Sequence, residues 1–259
     1  MNARRHYKTL AIVLRTLDYG ESDRIITFYT ADFGKVTGIA KGARRSSRRF
    51  VNALEPFSSS QILFSRKGYD TLALINACDI INHHPDIRED LGKTLIASSM
   101  VELIDQFTME GKENAKLFTM LHDFLALLDV GKGREGLLHV FALKLLMLTG
   151  YEPVLDHCLL CKTPLSRGGG EPYRFSPGGG GIMCKSCYGS TPDAVPVSLG
   201  TLKTLLLGKE IAPEKISRLA FSARTALESE QLLCRFMVHL LGKELKTFHV
   251  ANEIRRMGI

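Results

Sequence analysis

The sequence predicts a mixed α+β chain of several domains, in which an N-terminal β module precedes a helical region. Three observations carry this prediction. The first eighty residues hold five short segments rich in β-forming residues, separated by turns that contain Gly or Asp. Beyond residue 85, apolar residues recur at helical spacing. Two Cys-x2-Cys pairs then interrupt the helical pattern in a stretch rich in glycine.

The five predicted strands are residues 8–17, 23–30, 36–41, 57–66 and 69–81. Five short strands within about eighty residues fit a small β-barrel of the OB-fold type. The strand pattern alone does not distinguish an OB-fold from an SH3-like barrel. We therefore expect a small β-barrel over residues 1–82. Of the two barrel types, we favour an OB-fold DNA-binding domain.

Helical spacing marks two segments within residues 96–107 and 117–128, and residues 134–149 are apolar almost all round, as in a buried helix. Ser198 is a good N-cap for the next helix, and further helices are predicted over residues 222–242 and 247–256. The predicted helical domain comprises residues 83–150 and 198–259. Residues 151–197 form an inserted zinc module between these two parts.

Charge is distributed unevenly along the 259 residues. The net charge is +7, and residues 1–80 hold 13 Lys or Arg against 7 Asp or Glu. This excess indicates an anionic partner for the N-terminal third. No apolar stretch is long enough to span a bilayer, and no secretory signal is evident, so we expect a cytoplasmic protein without a membrane partner.

A basic loop follows the third predicted strand at residues 41–49 and contains no acidic residue. Its cations are Lys41, Arg44, Arg45, Arg48 and Arg49. Such a cluster binds phosphates without reading sequence, although a solvated loop is the alternative. Aromatic residues of the same module offer faces for base stacking, but most aromatic residues in a small barrel lie in its core. They are Tyr7, Tyr19, Phe28, Tyr29, Phe33, Phe50, Phe57 and Phe64.

The strongest chemical signal is the pair of cysteine motifs, Cys158 with Cys161 and Cys184 with Cys187. Two such pairs close a tetrahedral thiolate shell around Zn²⁺, and their spacing predicts a structural zinc ion. A set of reduced thiols is one alternative and a catalytic zinc is another, although four thiolates leave no position for water. His157 adjoins the first pair and is either a substitute ligand or a spare exposed histidine.

Catalytic motifs are missing from the sequence. The glycine runs do not form a phosphate loop, and no nucleophile elbow is present. His83 and His84 precede Pro85 and fit a surface linker better than a metal site. We therefore predict a protein that is not an enzyme.

Two groups of short motifs extend along the sequence. The N-terminal ones are AIVLRT at 11–16, DYGESDRI at 18–25, Gly34-Lys35, AKGARR at 40–45 and LEPF at 54–57. The C-terminal ones are GYEP at 150–153, which leads into Cys158 and Cys161, and Phe175-Ser176 with the glycines before Cys184 and Cys187. No single motif is specific, but together they cover almost the whole chain and resemble the RecO family of recombination mediators.

The resemblance implies an OB-fold, a helical C-terminal domain and a zinc module, without catalytic activity. It implies binding to single- and double-stranded DNA, annealing of complementary strands and gap repair through the RecF pathway. The implied partners are RecR, the acidic C-terminal tail of the single-strand-binding protein SSB, and RecA, with action at the nucleoid. Lys35 of the Gly34-Lys35 motif joins Lys41, Arg44, Arg45, Arg48 and Arg49 as a candidate DNA contact. The alternatives are an adaptor that binds acidic peptides and a metalloenzyme that uses the cysteines.

Overall fold

The computed structural model describes residues 5–46, 49–50, 52–67, 72–131, 134–165, 173–189 and 193–257. The chain divides into two compact units, Met1–Val130 and Gly131–Ile259. The structure confirms the predicted α+β class. The sequence also predicts domain boundaries at residues 82, 150 and 197. These boundaries separate smaller modules than the two units, so they remain a prediction.

A closed five-stranded barrel forms the first part of the N-terminal unit. Its strands are β1 (Arg5–Tyr19), β2 (Asp23–Thr30), β3 (Gly34–Ala40), β4 (Ser59–Arg66) and β5 (Ala73–Asn82), in the order β1-β2-β3-β5-β4. Strand β1 pairs with both β2 and β4, while β3 pairs with β5 in parallel. This arrangement is the OB-fold and decides against the SH3-like alternative.

Alternation along the strands fills the barrel with apolar side chains. The interior includes Val13, Ile26, Phe28, Val36, Ile62, Phe64 and Ile75. Strand β3 alternates buried and half-buried residues over its whole length, as expected for a strand with one face in the core. The side chains on its other face are therefore available to neighbouring segments and to solvent.

Three helices complete this unit: α1 (Pro85–Glu89), α2 (Leu91–Phe107) and α3 (Ala115–Asp129). Asp90 and Asn114 cap α2 and α3 through hydrogen bonds from the backbone N–H groups of Lys93 and Leu117. Side-chain caps of this kind satisfy N–H groups that have no partner within a helix. The helical periodicity therefore predicted α2 and α3 correctly, whereas α1 is too short to show it.

The interpretation of both histidines before Pro85 as a surface linker is wrong for His84. Its side chain is only 1% exposed, and it lies 3.4 Å from Ser59 Oγ and 3.6 Å from Asp129 Oδ2. Burial lowers the pKa of His84 by more than the nearby Asp129 carboxylate raises it. The ring is therefore neutral near pH 7. The contacts come from residues 25 and 45 positions away, so local sequence could not reveal them.

The second unit contains the remaining helices. They are α4 (Arg134–Leu148), α5 (Leu199–Glu210), a 3-10 helix (Pro213–Arg218), α6 (Ala223–Leu241) and α7 (Lys246–Met257). Ser198 caps α5 as predicted, and Gly242 ends α6 in a left-handed conformation with φ of 67°. Among the described helices of both units, none is long and apolar enough to cross a membrane.

A small antiparallel sheet lies within residues 151–197, the predicted zinc module. Its strands are β6 (Tyr173–Ser176), β7 (Gly181–Met183) and β8 (Val195–Val197), in the order β7-β6-β8. Strands of three or four residues are too short to show a clear alternation. Pro196 lies in β8, an edge strand, which is the position in a sheet that tolerates proline.

The Glu228 carboxylate joins α6 to the start of α5. It accepts hydrogen bonds from the Ser198 backbone N–H and from the hydroxyls of Ser198 and Thr201. Arg224 Nε donates another from the preceding turn of α6. Burial opposes ionisation of Glu228, but these hydrogen bonds outweigh it and lower its pKa to about 2.

Glu228→Gln should therefore destabilise the folded protein in a pH-dependent way. A carboxylate whose pKa is lowered on folding stabilises above its ordinary pKa of 4.5, and this contribution disappears as the pH falls towards 2. We expect a loss of about 2 kcal/mol in the free energy of unfolding at pH 7, shrinking between pH 4.5 and 2. Urea unfolding across this pH range measures it, with Glu214→Gln at an exposed site as control. A loss that does not change with pH would contradict the assignment.

Candidate metal centre and nucleic-acid interface

The first cysteine pair lies on a tight backbone turn in the second unit. The N–H of Cys158 donates to Thr163 O at 2.9 Å, and the N–H of Lys162 donates back to Cys158 O at 3.0 Å. Lys162 has a φ of 60°, which lets the chain reverse just after Cys161. The turn therefore directs both thiols of the pair to the same side.

The second pair is held against the first by the small sheet. The N–H of Leu159, between the first two cysteines, donates to Ile182 O of β7 at 2.8 Å, and β7 leads directly to Cys184. Gly181 allows this approach, because a Cβ at that position would lie 2.8 Å from side-chain atoms of Leu159 and Val154. The backbone thus brings together two motifs that are separated by 22 residues.

The four sulfur atoms have the spacing of a metal shell. All four lie within 4.8 Å of one another, and Cys161 Sγ is 3.7 Å from Cys184 Sγ. A tetrahedron with metal–sulfur bonds of about 2.3 Å has sulfur–sulfur edges of about 3.8 Å. Cys158, Cys161, Cys184 and Cys187 therefore fit a single tetrahedral metal ion. This confirms the predicted cysteine cluster as a possible metal site and leaves the identity of the metal to be proposed.

Electrostatics also favour a cation at this centre. Hydrogen bonding to Thr163 lowers the pKa of Cys161 to about 6, so this thiol ionises readily. The neighbouring thiols, first of all Cys184, raise the pKa of Cys187 to about 12. Four thiolates at this spacing repel one another, and a bound cation is what allows all of them to ionise.

His157 does not join the cysteine cluster. Its Nδ1 lies 2.7 Å from Asp156 Oδ1 on the adjacent residue. The cluster of potential ligands found among the described residues consists of the four cysteines alone. The half-buried ring is therefore a neighbour of the centre rather than one of its ligands.

The basic loop lies beside the turn between β1 and β2 in the N-terminal unit. The N–H of Arg44 donates to Ser22 O at 2.9 Å, and the Arg44 guanidinium donates to Gly20 O at 3.1 Å. The N–H of Gly42 donates to Asp23 Oδ1 at 2.8 Å. These contacts fix the first half of the loop to the end of the barrel where β1 and β3 finish. Arg48 lies outside the described residues.

Acidic residues at the end of β1 and in the β1–β2 turn lie close to the loop cations, which corrects the expectation of a purely positive site. Arg44 Nε lies 3.5 Å from Asp18 Oδ2, and Arg45 Nη2 lies 3.2 Å from Glu21 Oε2. The Arg45 and Glu21 side chains are 70% and 91% exposed, so their attraction is strongly screened by water. The loop itself contains no acidic residue, but acidic side chains from neighbouring segments partly neutralise its positive charge in the folded protein.

The remaining loop cations are arranged differently. Lys41 and Arg49 are exposed, and the Arg49 guanidinium donates to Lys41 O. The same guanidinium lies over the Phe50 ring, 4.7 Å from its centroid. This stacking orients Arg49 while its charge remains accessible.

Lys35 is separate from this group. Its ammonium donates to Asp105 O at 2.6 Å and lies 3.2 Å from Asp105 Oδ1 on α2. Both side chains are largely buried, with 15% and 16% exposure. Lys35 therefore joins β3 to α2 in this conformation. The candidate DNA-binding cations that are accessible to phosphate are those of the basic loop.

Most aromatic side chains of the barrel belong to its core. Phe28, Tyr29, Phe50, Phe57 and Phe64 are buried. Tyr7 and Phe33 pack with Phe64 in a three-ring cluster with centroids 5.1–5.4 Å apart. Tyr19 is different, since it is 55% exposed at the end of β1, next to the turn that contacts the basic loop. Among the described aromatics considered for stacking, Tyr19 offers the most accessible face.

An OB-fold barrel with a cationic loop, joined in one chain to a helical unit with a four-cysteine centre, defines a class of multidomain OB-fold proteins. Comparison with known families narrows the class. Residues 1–84 match the family model "Recombination protein O N terminal", and residues 88–248 match "Recombination protein O C terminal". The chain belongs to the RecO family of DNA repair proteins, which confirms the resemblance inferred from the motifs.

Several relatives cover nearly the entire chain. A DNA repair protein RecO of Syntrophus aciditrophicus is 50% identical, with 100% of each chain covered. Proteins of the same description from Geobacter metallireducens and Anaeromyxobacter dehalogenans are 37% and 36% identical. They cover 95% of this chain and 97% and 96% of their own lengths, respectively.

Cys184→Ser should abolish metal binding and destabilise the second unit. Removing one thiolate opens the shell, and the two cysteine turns lose the ion that orders them. Elemental analysis of the purified protein should show one metal ion per chain before the substitution and none after it. Cys234→Ser is the matched control, because Cys234 lies outside the cluster. Equal metal content in both variants would contradict the site.

Proposed function

We propose that this protein is a non-catalytic, DNA-binding recombination mediator whose OB barrel holds single- and double-stranded DNA. The observation that carries the proposal is the set of exposed cations at one end of the barrel: Lys41, Arg44, Arg45 and Arg49. OB-folds bind nucleic acids through the face of strands 2 and 3 and through the β1–β2 and β4–β5 loops, and the basic loop packs on the β1–β2 turn. Membership of a family of DNA repair proteins supports the same function.

The ion pairs of the basic loop are compatible with exchange for phosphate. An exposed pair such as Arg45 with Glu21 contributes about 0–1 kcal/mol, so its loss costs little when DNA binds. Each phosphate that replaces an acidic partner also releases condensed counterions from the DNA. The acidic residues keep the arginines oriented in the free protein without preventing their use by DNA.

Tyr19 adds a stacking surface to these phosphate contacts. Its ring is exposed beside the turn that Arg44 contacts through Gly20. Stacking of a base on an aromatic ring contributes about 1–3 kcal/mol and does not depend strongly on the base. A site of this type binds single strands with little sequence preference.

The metal that best fits the cysteine centre is zinc, in a structural role. Four thiolates are the usual shell of structural Zn²⁺ and leave no coordination position for a reacting water. When bound, the ion supplies ordering energy to the two cysteine turns rather than reactivity. X-ray absorption should show four sulfur neighbours at about 2.3 Å.

The mediator role follows from family membership and is proposed for this chain as a whole. In it, the protein anneals complementary strands and helps RecA to load on DNA coated with SSB, acting with RecR in the cytoplasm at the nucleoid. The acidic C-terminal tail of SSB requires exposed cations, and Lys203 and Arg235 provide them on α5 and α6. Calorimetry with the ten C-terminal residues of SSB tests that contact.

Replacing Arg44 and Arg45 with Ala should weaken DNA binding and reduce its salt dependence. Each phosphate contact on single-stranded DNA contributes about −0.7 to the slope of log K against log salt, so the slope should become shallower by about 1.4. Sequence preference should hardly change, because phosphate contacts do not read bases. Fluorescence anisotropy with a labelled oligonucleotide at several salt concentrations measures both quantities.

A matched control separates a specific site from net charge. Lys215→Ala with Arg218→Ala removes the same two charges from the exposed 3-10 helix of the second unit. Equal losses in both double variants would show that total charge governs binding. If the unmodified protein shows no salt-dependent binding to the oligonucleotide, the adaptor function becomes the better explanation.

Strand annealing tests the mediator role directly. The protein should accelerate pairing of two complementary labelled oligonucleotides, and the Arg44 and Arg45 double variant should lose most of this acceleration. Energy transfer between dyes on the two strands follows the reaction. DNA binding without any acceleration would limit the function to binding.

A further inference from the structure

An acidic side chain occupies a cradle of hydrogen-bond donors on β3 of the barrel. Glu110, from the segment between α2 and α3, accepts a hydrogen bond from the Thr37 backbone N–H at 3.0 Å and from the Thr37 hydroxyl at 3.3 Å. Arg66 Nη2, at the end of β4, donates to the same carboxylate at 3.0 Å. A backbone amide, a hydroxyl and a guanidinium are also the groups that hold DNA phosphates.

The cradle exists because one edge of β3 has no strand partner before Gly38, while the opposite edge pairs with β2. Strand β5 pairs with β3 at Gly38 and Ile39 alone, so the outer edge of β3 before Gly38 needs another partner. Residues 109–113, here called the edge segment, cover it. The N–H of Gly111 donates to Lys35 O at 3.0 Å, and a Cβ on Gly34 would lie 2.0 Å from Lys112 O.

The contact between Glu110 and its cradle is weak and incomplete. The Glu110 side chain is 41% exposed, so its ion pair with Arg66 is screened by water. The Nε atom of Arg66 is buried and has no hydrogen-bond partner among the described residues. The Arg66 guanidinium thus donates to Glu110 through Nη2, while its Nε–H group has no acceptor among the described residues.

A phosphodiester fits the same donor set as the carboxylate. Its two non-bridging oxygens, like the two carboxylate oxygens, match the planar fork of an arginine. Thr37 supplies further donors beside it. The strand that carries the cradle continues into the basic loop at residue 41, so one DNA backbone passing along β3 reaches both places.

We propose that Thr37 and Arg66 form a phosphate-binding site that Glu110 occupies in the free protein and that a phosphate of single-stranded DNA takes over. The edge segment is then an internal competitor, tethered close to the site at high effective concentration. DNA binding displaces the Glu110 carboxylate and loosens the edge segment from β3. This inference rests on the proposed DNA-binding function and adds a site and a regulating contact to it.

Glu110→Ala is the direct test, with Glu113→Ala as its matched control. Glu113 lies on the same segment, is exposed and takes no part in the cradle. Removing the competitor should raise affinity for a thymine-rich oligonucleotide about three- to tenfold at low salt. The slope of log K against log salt should stay nearly unchanged, because the same number of phosphates is neutralised in both complexes once Glu110 has been displaced. Glu113→Ala should change affinity less than about twofold, through net charge alone.

Arg66→Gln placed in the Glu110→Ala protein should remove this gain, because the guanidinium provides the phosphate contact. Equal effects of Glu110→Ala and Glu113→Ala, or a loss of affinity with Glu110→Ala, would overturn the inference. These outcomes leave the proposed DNA-binding function intact, since that function is tested by the Arg44 and Arg45 variant. Loss of oligonucleotide binding in every protein would reject both.

Hydrogen exchange of the unmodified protein provides a test that does not depend on how a variant folds. The Gly111 N–H, bonded to Lys35 O in the free protein, should exchange faster when the oligonucleotide is saturating. Unchanged or slower exchange of this amide at saturation would overturn the displacement of the edge segment.

Discussion

Closure of the barrel depends on a short parallel contact between β3 and β5, made at Gly38 with Ala73 and Ile39 with Leu74. Gly38 permits it, because a Cβ there would lie 2.5 Å from the Ile75 side chain and 3.0 Å from Ala73 O. The antiparallel pairing of β2 with β3 brings the end of β3 beside the β1–β2 turn, where the basic loop is fixed. Because the contact with β5 is limited to Gly38 and Ile39, the other edge of β3 before Gly38 has no strand partner, and the edge segment covers it.

The second unit solves a different physical problem. Residues 151–197 contain strands of three or four residues and many glycines, and the hydrophobic cluster around the cysteines is small. The short strands bury Phe175, Ile182 and Val197, but the two cysteine turns have few apolar contacts of their own. A metal ion bound by the four cysteines would order these turns locally, and the helices of this unit are stabilised by capping and by the hydrogen bonds of Glu228.

Sequence predicts those features that depend on neighbouring residues. Strand β2 and helix α4 lie almost where the residue types predicted them, and the cysteine spacing indicated four ligands that the structure brings within 4.8 Å. Contacts between residues that lie far apart in the sequence could not be predicted from it. Glu110 reaches Thr37 across 73 residues, and Arg45 meets Glu21 across 24. Burial of His84 depends on Ser59 and Asp129 in the same way. No periodicity encodes such pairings, because they arise from the order in which strands close the barrel.

The central claim is that DNA lies on the OB barrel at the β1–β2 turn and the basic loop. Ultraviolet cross-linking of a thymine-rich single strand, followed by mass spectrometry of the cross-linked peptides, tests it most directly. Stacking of bases on the exposed ring predicts cross-links at Tyr19 and in peptides that contain residues 41–50. Cross-links confined to residues 131–257, with the barrel peptides unmodified, would contradict the account.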